Sequence, residues 1–270
     1  MIFYSEVMNL NIKDSVGFLS FKALENFRFF KHAFSTRIGG VSTGNFKTLN
    51  LGKKNSDEKC HVDENYRRFF DSVEIKMDTL TFLDHVHGEN IKVVSQKNFK
   101  NIEKFDGSIT NTAGITLVTF HADCCPIFIL DPVKKLIGLA HAGWRGTVKD
   151  IAGKMVSKMI YEFKVKPKNL ICCIGPAIRN CCFEVKQDVA NEFKIKKDSE
   201  NFIKILNNKI FVDLLQCNKQ SLIESGVSEN KIIISDICTS CFSDLIFSHR
   251  AHGKSHGTAI AIATLKANSY

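Results

Sequence analysis

Proline is scarce in this 270-residue chain, with four in all, and tryptophan occurs once. There is no Pro- or Ser-rich stretch, low-complexity tract or internal repeat, which excludes repeat arrays and linker-joined modules and leaves one domain over residues 1–270 as the simplest expectation. No apolar run approaches the ~20 residues a membrane span requires. The opening segment MIFYSEVMNLNIKDSV has no basic stretch followed by an unbroken apolar run, so no secretory leader is expected and the cytoplasm is the default compartment. There the ten cysteines read as thiols rather than disulfides. The net charge is +9, but the lysines are dispersed, as in Lys53-Lys54, Lys134-Lys135 and Lys196-Lys197. Without an aromatic-interleaved basic stripe, a nucleic-acid ligand is not expected. What remains, at 44% hydrophobic and 24% charged residues, is the composition of an ordinary globular protein with a substantial core. A monomer or a small homo-oligomer is expected.

Helical periodicity covers Asp57–Glu74, Val185–Phe193 and Val212–Ser225, the last stopped at Gly226, and a further helix with Thr147 as its N-cap carries Ile151, Met155, Met159 and Ile160 on one face. Short apolar runs at Ile91–Val94, Ile115–Phe120, Leu170–Ile174, Ile232–Ile234 and Thr258–Leu265 suit buried strands. The elements lack a steady βαβ rhythm, which predicts an α+β fold with mixed sheets rather than a doubly wound one.

The most informative segment is His121–Thr147, HADCCPIFILDPVKKLIGLAHAGWRGT. Ile127–Leu130 and Leu136–Ala140 are apolar and flank Asp131-Pro132-Val133-Lys134, the signature of a turn. With Pro132 and Val133 as the loop, Cys124 falls opposite His141. Directly opposed residues have Cβ atoms roughly 4.5–5.5 Å apart, close enough to share a metal ion or form a thiolate–imidazole pair.

Other reactive groups surround this hairpin. His85 and His87 fall on one face of an extended segment, and either could be a third ligand, since two histidines and one cysteine make an open zinc set. Gly143-Trp144-Arg145-Gly146-Thr147 joins a strand to a helix, and the helix start with the Arg145 guanidinium suits phosphate or carboxylate. Asp106 and Asp123 could orient a metal-bound histidine or move protons. Glu184 and His249-Arg250 are further polar candidates. Cys238-Thr239-Ser240-Cys241 has CxxC spacing, but no second CxxC completes a tetrahedral site. Of the adjacent pairs Cys124-Cys125, Cys172-Cys173 and Cys181-Cys182, one member of each would be core filling in a strand.

Several motifs resemble one family, known as laccase-domain, multicopper polyphenol oxidase-like or zinc-type purine nucleoside phosphorylase. They are STRIGGVSTGNF at Ser35–Phe46, TLNLG at Thr48–Gly52, VHG at Val86–Gly88, ADCCPIFILDP at Ala122–Pro132 and AHAGWRGT at Ala140–Thr147. IGPAI at Ile174–Ile178, CCFEV at Cys181–Val185, DICT at Asp236–Thr239 and FSHR at Phe247–Arg250 follow in the family's order. The resemblance implies zinc ligands at His87, Cys124 and His141, with Arg37 and Arg145 binding phosphate or substrate. It implies two mixed β-sheets sandwiched between helices in four layers, and phosphorolysis of adenosine, inosine and methylthioadenosine, with adenosine deamination as a second reaction. The chain departs from the family pattern at His85, where glutamine is usual, at His121, where a small residue is usual, and at Ser255-His256-Gly257-Thr258, which lacks the usual arginine.

The leading expectation is therefore a zinc enzyme acting on purine nucleosides and phosphate, with Arg145 and the helix start at Thr147 holding the phosphate and Asp106, Asp123 and His121 as proton-transfer candidates. A metal-free Cys124–His141 hydrolase acting on amides or cell-wall precursors is the second reading, because a thiolate beside an imidazolium is a competent nucleophile. Copper-dependent phenol oxidation is the third, disfavoured because nine scattered histidines do not make a multicopper cluster.

Overall fold

Along Cys125–Asp131, alternate side chains enter different cores: Ile127 and Ile129 pack toward helices, whereas Phe128 and Leu130 pack toward a second sheet. This two-residue period recurs throughout the computed structural model, which describes residues 3–53 and 56–267. Cys172 and Cys173 split between the same two cores, and Ile260 and Ile262 face away from Ala259, Ala261 and Ala263.

Twelve strands make two six-stranded mixed sheets, and Glu184–Val185, Lys209–Val212 and Ile203–Leu206 make a small antiparallel third. The first runs Met8–Lys13, Val16–Phe21, Phe30–Ser35, Ala259–Leu265, Thr116–His121, Leu80–Thr81. The second runs Ile232–Ile234, Ile171–Ile174, Cys125–Asp131, Leu136–Ala142, Gly107–Thr110, Ile91–Val93. Each parallel pair in these two sheets involves an edge strand, and the other pairs are antiparallel. One core, with Phe21, Phe34, Phe128 and Leu139, fills the space between the sheets. A second lies under helix Lys59–Ser72 through Val62, Tyr66, Phe69 and Phe70. The third lies under helices Ile151–Phe163 and Leu214–Glu224, with Met155 and Met159 among its members. Three cores between four layers give the α/β/β/α sandwich that the α+β expectation and the family resemblance implied. Burying each of those large side chains contributes roughly 1.5–3 kcal/mol.

Two local expectations are corrected. The hairpin pairs Pro126, not Cys124, with His141. Its loop is longer than a two-residue turn: Asp131 pairs with Leu136, the Asp131 carboxylate accepts the amides of Val133 and Lys134, and Lys135 takes a left-handed conformation. An aspartate that bonds its own turn, followed by a left-handed residue, lengthens the loop at little cost. The parity of the register survives, so Cys124 and His141 remain on one face, related diagonally. Thr147 is not the cap of the long helix. A five-residue helix, Trp144–Val148, comes first, and Asp150 then caps Ile151–Phe163 by accepting the amide of Gly153.

A candidate metal centre at the seam of the two sheets

The link Ala122–Cys124 carries the chain from strand Thr116–His121 of one sheet to Cys125–Asp131 of the other, so Cys124 sits where the sheets meet. His141 lies near the end of the antiparallel neighbour, and Asp106 immediately precedes the next strand, Gly107–Thr110. The His141 amide donates to the Asp106 carbonyl at 2.7 Å, which brings both side chains to this one end of the sheet.

Asp106 is fully buried. Its Oδ1 lies 3.0 Å from Nδ1 of His141 and accepts the His87 amide at 3.0 Å. Its Oδ2 accepts the amides of Val86 and Gly88 at 3.2 and 2.7 Å. One carboxylate thus fixes the His141 ring and the whole turn that presents His87. Burial opposes its charge, but the bonds from His141 and the Gly88 amide hold it well below the usual carboxylate range.

With Nδ1 of His141 taken, Nε2 is the nitrogen left for Cys124. One ligand atom from each of His87, Cys124 and His141 lies within 4.8 Å of the others. Burial disfavours a charged Cys124, yet His141 and His87 together bring its thiol down to about 6. Burial likewise opposes a charged His141, but the Cys124 thiolate and Asp106 raise it to about 9. The site is built to hold one negative sulphur among imidazoles. Two nitrogens and a sulphur at this spacing, with a carboxylate behind one imidazole, fit the three-ligand open set of a zinc centre.

Two glycines make the convergence possible. A Cβ on Gly143 would stand 3.0 Å from the His87 ring and 3.1 Å from the Cys124 sulphur. A Cβ on Gly146 would stand 2.8 Å from the Gly88 carbonyl oxygen, against which the short helix packs. What approaches the backbone of Gly143 and Gly146 so closely is the ligand turn itself.

The two extra histidines have separate places. A left-handed backbone at His87 breaks the extended segment, so His85 does not share its direction. The His85 ring instead stacks flat on His141, centroids 4.5 Å apart. His121 is buried, and burial keeps it neutral, well below its ordinary range. Its Nδ1 donates to the Cys124 carbonyl at 2.9 Å, so Nε2 accepts from the Thr119 hydroxyl at 2.7 Å. His121 therefore steadies the turn of Cys124 with both nitrogens engaged.

The remaining sequence candidates lie further out. Asp123, left-handed at φ 89°, accepts the Thr239 hydroxyl at 2.6 Å and the Arg250 amide at 2.7 Å, with neither oxygen directed at His141. Sequence reasoning missed these two partners, because nothing local links residue 123 to 239 or 250. Arg37 is buried over the Phe247 ring, with its donors on the Lys47 and Ser243 carbonyls and His252. Thr147 is fully buried, its hydroxyl accepting from Asn218 at 3.0 Å, which removes it as a phosphate ligand. Arg145 is exposed, 4.2 Å over the Trp144 ring, in a surface cleft of about 270 Å³ that also holds Lys149, Asp188 and Glu192.

The four-layer fold and this donor set define a protein with an open, metal-competent His₂Cys centre at the seam of two sheets. Residues 31–266 match the model of the multi-copper polyphenol oxidoreductase laccase family, and the chain belongs to that family. The purine nucleoside phosphorylase YlmD of Geobacillus stearothermophilus is 33% identical over 238 residues, 84% of this chain and 87% of that protein. The purine nucleoside phosphorylase LACC1 of Mus musculus is 32% identical over 245 residues, 88% of this chain but 56% of that longer protein. The crystal structure of YlmD from Geobacillus stearothermophilus superposes with a TM-score of 0.89 at 30% identity, covering 96% of this chain and 99% of that one.

Proposed function

We propose that this protein is a zinc-dependent purine nucleoside phosphorylase, converting adenosine, inosine or methylthioadenosine and phosphate into free base and ribose 1-phosphate, with adenosine deamination as a side reaction. The observation that carries the reading is the convergence of His87, Cys124 and His141 with Asp106 behind His141, in a chain whose relatives are named purine nucleoside phosphorylases. The continuous cores support one domain over the described residues. A centre that depends on a thiolate needs a reducing compartment, which favours the cytoplasm.

His87, Cys124 and His141 would hold the zinc. When bound, it supplies Lewis acidity to a substrate atom at the position the three protein ligands leave open. The chain's own part is positioning. Asp106 fixes the tautomer and direction of His141, and an outer partner of this kind raises ligand basicity. His121 holds the Cys124 carbonyl, and Asp123, clamped by Thr239 and Arg250, holds the turn one residue before the thiolate. Arg145 is the exposed cation nearest in sequence to the centre, and we assign it the phosphate. Arg37 holds the Lys47 and Ser243 segments together. Asp106 keeps a proton on Nδ1 of His141, so the proton for the departing base comes from a group outside this pair.

A second reading has a specific observation in its favour. A Cys124 thiol depressed to about 6 beside His141, itself oriented by Asp106, is also the arrangement of a thiol hydrolase. Copper-dependent phenol oxidation has less support, because among the described residues no potential metal group contains more than two histidines. The deciding experiment purifies the protein without added metal, measures bound metals, and assays hypoxanthine release from inosine and phosphate beside Cys124→Ala. Stoichiometric zinc with phosphorolysis lost in the variant is expected. Full activity after chelation would transfer the site to the thiol hydrolase.

A further inference from the structure

Four sulphur atoms meet away from this centre. The Sγ atoms of Cys181, Cys182, Cys238 and Cys241 all lie within 4.8 Å of one another. They come from two turns far apart in sequence. In the first, the amides of Cys182 and Phe183 both donate to the Arg179 carbonyl, at 2.9 and 2.8 Å. That curl takes Cys181 and Cys182 out of the extended form, so adjacent thiols converge here, whereas in strand Ile171–Ile174 Cys172 and Cys173 diverge. In the second, Cys238 forms a bridge with Ala177, and the Phe242 amide donates to the Cys238 carbonyl at 3.0 Å. The Ala177 bridge aligns the CxxC turn with the Cys181-Cys182 turn. The latter supplies the second cysteine pair that the sequence alone did not reveal.

The geometry is that of a ligand shell. Cys241 lies 3.6 Å from Cys181 and 3.4 Å from Cys182, sulphur to sulphur. Four thiolates about 2.3 Å from one zinc ion have tetrahedral edges of about 3.8 Å. The Cys238 sulphur accepts the Arg179 amide at 3.5 Å, with the Ser240 and Cys241 amides also directed to it. N–H groups aimed at sulphur stabilise a thiolate. Arg250 stands beside the cluster, its guanidinium on the carbonyls of Cys182 and Glu184, and offsets the negative charge of four thiolates. Core filling does not account for the arrangement, since Cys181 and Cys241 are exposed.

We propose that Cys181, Cys182, Cys238 and Cys241 form a second metal site, a closed tetrathiolate for one zinc-like soft divalent cation, separate from the His87–Cys124–His141 centre. Four protein ligands leave no open position, so its role is structural. It ties the CxxC turn, whose Thr239 donates to the Asp123 carboxylate, to the Cys181-Cys182 turn, which follows directly on Ile178, whose amide donates to the Asp123 carbonyl at 2.9 Å. The second site therefore braces, from behind, the loop that presents Cys124.

The test uses the full chain, with zinc and cobalt(II) as probes. The unaltered protein is expected to carry two zinc ions, and Cys241→Ser and Cys182→Ser one each. Cys124→Ala is expected to keep one ion, and its cobalt(II) form to show the thiolate charge-transfer and d–d bands of a tetrathiolate. That measurement stands even if the cluster variants fail to fold, and it is independent of whether the first centre binds metal. The proposal is overturned if folded Cys124→Ala binds no metal and its four cluster thiols alkylate freely. A disulfide among the four in non-reduced peptide maps would overturn it equally.

Discussion

The buried carboxylate of Asp106 stands 3.0 Å from Nδ1 of His141 while its two oxygens also gather the amides of Val86, His87 and Gly88. One side chain thus orders two of the three candidate ligands, and the consequence is measurable. Asp106→Asn keeps the shape but loses the charge and the preferred tautomer. Zinc affinity, measured by chelator competition, is expected to fall about 10–100-fold. Unchanged affinity would show that the carboxylate serves the loop alone.

Metal binding should be pH-dependent with a defined sign. In the metal-free pair His141 is raised to about 9 and Cys124 lowered to about 6, so between these values it is imidazolium and thiolate. Metal displaces the imidazolium proton, so in that window affinity rises about tenfold per pH unit. Below about 6 the thiol proton must also leave and the dependence steepens, and above about 9 the contribution of this pair vanishes. Calorimetric titrations in buffers of different ionisation enthalpy count the protons released. Release of none near pH 7.5 would contradict the charged pair.

Gly146→Ala places a methyl group 2.8 Å from the Gly88 carbonyl oxygen, a backbone atom with little room to move. The expected cost is about 1–3 kcal/mol, read as a lower denaturation midpoint, together with weaker zinc binding because the turn of His87 is displaced. A neutral effect on both would mean that the short helix can shift away.

His121→Leu removes the donor to the buried Cys124 carbonyl and the acceptor for Thr119. An unsatisfied buried polar group costs about 1–3 kcal/mol, so a loss of that size in urea unfolding is expected. Bound zinc per chain should not change, because both ring nitrogens are already engaged. Loss of one zinc ion would instead make His121 a ligand.

Much of this was readable in the sequence because it depends on period and parity. Alternation within Cys125–Asp131 and Leu136–Ala142 ties the faces of Cys124 and His141 to the parity of the turn, and the loop lengthens by an even number of residues, from two to four, so the two residues keep a common face. The register itself shifts, since it depends on Lys135 adopting a left-handed backbone and on Asp131 bonding its own loop. The helix start shifted from Thr147 to Asp150 for a related reason: a threonine that could cap a helix is instead buried against Asn218.

Residue types and spacing by themselves determined the alternating strands, the shared face of Cys124 and His141, and the presence of histidines within reach of it. Those properties follow from chain geometry over a few residues. The tertiary structure alone decided that Asp106 rather than Asp123 supports His141, and that two cysteine pairs about sixty residues apart meet. Each of these depends on which strands become neighbours and on where a buried carboxylate or thiol finds its partners, and no local pattern encodes that.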